Sequence, residues 1–170
     1  GQVGVTQQKS EWAPLGDAVL ALEAAAGHPQ GSVRQPLVTA EVKALRGKTV
    51  TLGAWIWASQ PVQIRSPMLD DGLQTTWERL EVADRPAFYA ITTTIAAEAT
   101  RVHVILRPSP GQAGKDTTVY YDGVVLVEGA HSPHEPPVLD GPDAAGGTWA
   151  GERVTNRVRN GSAEAAWPRM

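Results

Sequence analysis

The sequence predicts an all-β chain, an antiparallel two-sheet β-sandwich of the jelly-roll kind. Three observations predict it. The stretch Thr49–Ala58 alternates strictly, with Val50, Leu52, Ala54, Ile56 and Ala58 on one face and Thr49, Thr51, Gly53, Trp55 and Trp57 on the other. That period belongs to a strand with one face against a core. Shorter runs of the same kind recur along the chain, divided by turn signals at roughly the 8–12-residue spacing of sandwiches. Finally, 17 Gly and 13 Pro in 170 residues demand many turns and work against long helices.

The elements follow in order. Residues 1–15 are polar with scattered valines and hold a weak strand at Val3–Thr6. Gly16-Asp17 turns the chain into Ala18–Glu23, where Val19 opposes Leu20 and Leu22. Alanines at 21–26 favour a helix by propensity, but Gly27-His28-Pro29 cuts that stretch short. Ser32–Val38 is the next strand, with Val33, Gln35 and Leu37 facing one way. Arg46-Gly47-Lys48 turns into Thr49–Ala58, Pro61 ends it, and Val62–Arg65 resumes with Val62 and Ile64 inward. Asp70-Asp71-Gly72 is a turn. Trp77–Val82 and Phe88–Ile95 then flank Asp84-Arg85-Pro86. Arg101–Arg107 sets Val102, Val104 and Leu106 inward and Arg101, His103, Ile105 and Arg107 outward. After a loop at 108–115, Thr117–Glu128 closes a module spanning 1–129.

Composition changes beyond that point. Pro133, Pro136, Pro137 and Pro142, followed by Gly146-Gly147, mark 130–151 as a linker with little to bury. The tail at 152–170 either opens a further module or docks as a strand, and the first reading is preferred.

Several function classes lack support. A net charge of -3 gives no footprint for nucleic acid, and no basic cluster marks a membrane surface. The absence of cysteine removes disulfides and thiol chemistry. No apolar run is long enough to insert in a bilayer. His28, His103, His131 and His134 lack zinc-binding spacing, and no nucleophile elbow or phosphate loop occurs. The chain is therefore expected not to be an enzyme.

Gly16-Asp17-Ala18-Val19-Leu20, Val33-Arg34-Gln35 and the run Leu45–Ala58 together resemble the carbohydrate-binding modules with a galactose-binding-like jelly roll. So do Trp77-Glu78-Arg79-Leu80, Ala99–Val104 and Val119-Tyr120-Tyr121-Asp122-Gly123-Val124, and the resemblance covers about residues 15–129 in order. It is nearest the calcium-containing, xylan- or glucan-binding type. Two departures stand out. The family's opening strand motif is missing at the N-terminus, whereas Asn160-Gly161-Ser162-Ala163-Glu164 looks like it. Trp57 stands where the family more often has a polar residue. The resemblance implies a non-catalytic, extracytoplasmic accessory domain of a larger secreted or membrane-attached protein. Its partners would be a polysaccharide or oligosaccharide and other domains of the same polypeptide. The resemblance also implies a structural calcium ion at Asp122, with Glu164 as a second ligand if the tail docks and carbonyls near Gly16 completing the set. Calcium asks for about six to eight oxygens.

Sugar rings present apolar C–H faces that stack on exposed aromatic rings while polar groups fix the hydroxyls. Trp55 and Trp57, side by side on one strand face, are the candidate floor of such a groove. Gln63, Arg65, Arg101 and His103 are its candidate polar walls. The competing reading buries both indoles beneath a loop or the Pro-rich tail, and both readings stay open. Trp77 reads as structural, while Trp12, Trp149 and Trp167 suggest docking of the tail rather than a site.

Overall fold

The computed structural model describes residues 3–24, 31–108, 117–159 and 161–162. The first half of the chain forms β1 (Val3–Lys9), β2 (Ala18–Ala24), β3 (Val33–Pro36), helix α1 (Thr39–Leu45), β4 (Thr49–Ala58) and β5 (Val62–Arg65). Next come β6 (Met68–Asp70), β7 (Thr75–Thr76), β8 (Arg79–Val82), β9 (Ala87–Thr94), β10 (His103–Leu106) and β11 (Thr118–Glu128). Three short strands follow: β12 (Val138–Asp140), β13 (Gly146–Trp149) and β14 (Glu152–Thr155).

All pairings are antiparallel. A five-stranded sheet runs β1-β2-β11-β4-β9, and a four-stranded sheet runs β3-β10-β6-β7. A separate β5-β8 ribbon adjoins the β6-β7 end of that second sheet, where the Ser66 N–H donates to the Glu78 carbonyl. Between the layers lies the main core. Leu22, Leu52, Ile56 and Tyr121 come from the large sheet, and Val33, Leu69, Val104 and Leu106 from the smaller one. The inward sets expected for β4, β5 and β10 all lie in this core. Helix α1 was not expected; it sends Val42 and Leu45 into the same core, one helical turn apart. Seven residues are too few for periodicity to declare a helix against its neighbours.

Strand β11 contains the decisive irregularity. Asp122 stands opposite Trp55 and Val125 opposite Gly53, so one extra residue is inserted between them. Gly123 takes φ +56° at the bulge, a left-handed conformation that favours glycine. Inward positions are 119 and 121 before the bulge and 124 and 126 after it. Val125 and Val127 are thereby turned to the outer face, where they need a cover.

The cover is the stretch 130–151, expected as a linker. It carries β12 and β13, and β13 pairs with β14. Trp149 packs with Val125, Val127 and Val154 as a second core, joined by Phe88, Ala90 and Leu139. Its ring stacks on His131 at 4.9 Å, and its indole N–H donates to the Ser132 carbonyl at 3.1 Å. Composition misled here because so short a meander needs few apolar residues when the large sheet supplies the rest of the apolar surface.

The tail continues alongside β11. The Arg157 N–H donates to the Leu126 carbonyl, and the Val124 N–H donates to that of Gly161. Asn156 spans the gap: its Oδ1 accepts from Leu126 and Val158 N–H, and its Nδ2 donates to the carbonyls of Val124 and Ala144. A Cβ at Gly161 would collide with the Val124 carbonyl oxygen. Gln35 exchanges two bonds with the Arg159 backbone, and Arg157 pairs with Glu41 of α1 at 2.8 Å. Through Ser162, then, the tail is docked in cis, and the preferred reading of a new module at 152–170 does not hold for these residues. Trp167 and Glu164 lie outside the described residues.

Trp149→Ala is expected to cost about 3–5 kcal/mol, the range for removing a fully buried indole. Urea unfolding followed by circular dichroism measures it. A loss under ~1 kcal/mol would mean that the covering sheet contributes little to stability.

Candidate functional site

The residues expected to form one groove fall on two faces of the sandwich. Trp55 and Trp57 lie on β4, on the outer face of the large sheet. Gln63 and Arg65 on β5, with Arg101 and His103 at β10, belong to the second layer. Outward faces of opposite layers point away from each other, so the composite groove does not form. Alternation fixes which side of a strand a residue takes but not which sheet the strand joins.

Trp57 is 3% exposed, and its ring stacks on Tyr120 at 5.5 Å. It has little surface left for a sugar. Trp55 is half-buried and meets Phe88 edge-to-face at 5.7 Å, continuous with the core under Trp149. Beside Trp57 a cleft of about 430 Å³ opens, lined by Lys9, Glu11, Trp12, Asp84 and Tyr120 among others. Trp12 is exposed there, with Arg85 5.7 Å from its ring.

The opposite face has a different character. Register places His103 between Pro36 of β3 and Asp70 of β6, and Ile105 between Arg34 and Met68. Since Val104 and Leu106 point into the core, Arg34, His103 and Asp70 share the outward side. On the ribbon, Ile64 and Leu80 go inward, leaving Arg65 opposite Arg79 and Gln63 opposite Glu81 outside. Arg65 lies over the ring of Trp77 at 4.6 Å, and Trp77 is 38% exposed. Gln63 donates to Glu81, while Arg101 pairs with Asp70 at 2.9 Å. Four of the expected residues, Gln63, Arg65, Arg101 and His103, thus stand on one layer with an exposed indole that sequence reasoning set aside as structural. Its signal was its place: Trp77 lies between two short strands rather than within a long apolar run.

Electrostatics tie this face together. Burial lowers the pKa of His103 below its ordinary value, the charges of Arg101 and Arg34 lower it further, and Asp70 opposes them. Its Nδ1 is buried with no hydrogen-bond partner. Arg107 is pushed down by burial and then by the charges of Arg65 and Arg34. Guanidinium groups from β3, from β5 and from the end of β10 therefore feel one another.

Asp122, the expected calcium ligand, is fully buried. Its Oδ2 accepts from the Leu15 N–H at 2.8 Å and its Oδ1 from its neighbour Gly123 at 2.7 Å. Among the described residues no three His, Asp or Glu side chains converge as a metal site. Glu164, the second expected ligand, lies outside the described residues.

No protein-family model and no curated protein sequence matches the chain. Solved structures do match in fold. A domain of the bacteriophage CBA120 tailspike protein 4 aligns over 73% of this chain at 16% identity and TM-score 0.55, although this chain spans only 17% of that one. A CBM4 structure aligns at 17% identity and TM-score 0.51, over 75% of this chain and 78% of that one. A CBM61 module solved with β-1,4-galactotriose aligns at 14% identity and TM-score 0.50, over 75% and 88%. The chain thus has the β-sandwich fold seen in carbohydrate-binding modules.

Two outcomes are expected at these positions. Unfolded, His103 takes its proton near pH 6.5; folded, it does so at lower pH, so acidification through that window favours the unfolded state. An NMR titration should place its midpoint below the ordinary histidine value, and a midpoint above it would contradict the burial and charges described. Asp122→Asn should destabilise by on the order of 3 kcal/mol, because an amide nitrogen replaces one acceptor facing two N–H groups. The loss should be equal with and without EDTA; a loss seen only when calcium is present would make Asp122 a metal ligand.

Proposed function

We propose that the chain is a non-catalytic carbohydrate-binding module of a larger extracytoplasmic or membrane-attached protein, and that it holds glycan on the outward face of its second layer. One observation carries the reading: an exposed indole, Trp77, shares this face with Arg65, His103 and Arg101. A sugar ring would pack on Trp77, with its hydroxyls bonded by the guanidinium groups of Arg65 and Arg101. A shallow face covers only part of a ligand, so modest affinity fits this geometry. The fold shared with a CBM4 structure and with a CBM61 module solved with a bound galactotriose supports the reading without choosing the sugar.

A second site is favoured by the cleft beside Trp57, where Trp12 would take the stacking role. Calorimetry and tryptophan fluorescence across a panel of glycans separate the two. Trp77→Ala should weaken binding about tenfold or more at unchanged Tm, while Trp12→Ala leaves it intact. The opposite pattern assigns the cleft. No response to any glycan would instead favour a structural or protein-interaction domain.

A further inference from the structure

We propose that the glycan bound at this face is acidic, its sugars bearing carboxylate or sulfate groups that seat among Arg34, Arg65 and Arg79. The proposal rests on the reading that this layer binds glycan, and it names the class of sugar.

The whole chain carries a net charge of -3, yet the outward side of the second layer gathers arginines. Arg65 and Arg79 are direct cross-strand partners, and like charges directly opposite each other destabilise a sheet. Arg34 and Arg65 both act on Arg107 as like charges. The acids on the same side are already engaged: Asp70 with Arg101, and Glu81 with Gln63. Among the described residues no carboxylate forms an ion pair with Arg34, Arg65 or Arg79. An anion between these groups would remove the repulsion and gain charge-assisted hydrogen bonds, which guanidinium makes in pairs to a carboxylate or sulfate. Trp77 holds the Arg65 guanidinium in place by a cation–π contact and adds the apolar surface that a sugar, unlike a bare anion, can use. Neutral glycans would leave the charges of Arg34, Arg65 and Arg79 without a counter-charge from the ligand.

The test measures affinity of the intact chain for polygalacturonate, dextran sulfate, neutral xylan and neutral galactan, from about 0.1 M to about 1 M salt. Acidic polymers should bind at least about tenfold more tightly than neutral ones at low salt and lose that advantage at high salt. The polyuronate and sulfated arms tell which anion fits. Arg34→Ala with Arg65→Ala, both at solvent-accessible positions, should abolish the preference while Tm holds. Neutral polymers bound equally well, and unaffected by the double variant, would overturn the acidic ligand and leave glycan binding standing. No binding to any polymer by the folded protein would overturn both. Equal capture of a single-stranded DNA oligonucleotide would also overturn the proposal, because it would show charge attraction without sugar recognition.

Discussion

The extra residue in β11 is the constraint on which the rest of the molecule depends. By shifting the strand's parity between Asp122 and Val125, it lets an apolar run face both ways. Val124 and Leu126 seal the inner core, while Val125 and Val127 are delivered to the opposite side. The bulge also buries a carboxylate, which the N–H groups of Leu15 and Gly123 satisfy. It leaves the Val124 and Leu126 backbone without β2 as a partner, since β2 pairs only up to Tyr121. Asn156, Arg157 and Gly161 fill that vacancy. The covering sheet and the docked tail are thus consequences of one irregularity in the central strand.

The same constraint divides the surface. The large sheet turns its outward side partly into a second core, and Trp55 is drawn toward it through Phe88. Trp57 closes against Tyr120 beyond the edge of that cover. The smaller layer receives no comparable lid among the described residues. Its outward side keeps polar and charged groups around the buried Ile105 and Met68, and the one large apolar ring there, Trp77, keeps contact with water. A sandwich with one side covered and the other open has a natural orientation for a ligand, and the charge on the open side gives that orientation a chemistry.

Much of this could be read in advance where local pattern and burial coincide. The strand at Thr49–Ala58 has the bounds expected, and Val102, Val104 and Leu106 point inward as alternation requires. Trp149 docks as the tail tryptophans suggested. The site was less legible. Trp77 reads as an ordinary strand-edge aromatic until the partners of β8 are known. The meander at 138–155 was hidden by its Pro and Gly content, although the uninterrupted run Val124-Val125-Leu126-Val127 was a sign that both sides of that strand are buried.

By itself, the sequence determined the class of fold, the inward faces of β4, β5 and β10 and many of the places where the chain turns. These follow from side-chain period, turn chemistry and the cost of exposing apolar surface, all of which act over a few residues. Only the tertiary structure decided that Trp57 and His103 look out of opposite layers, that Arg65 and Arg79 face each other, and that the chain beyond residue 130 folds back as a cover. Sheet order and strand partnership join residues distant along the chain, and a period of two is the same whichever sheet a strand enters.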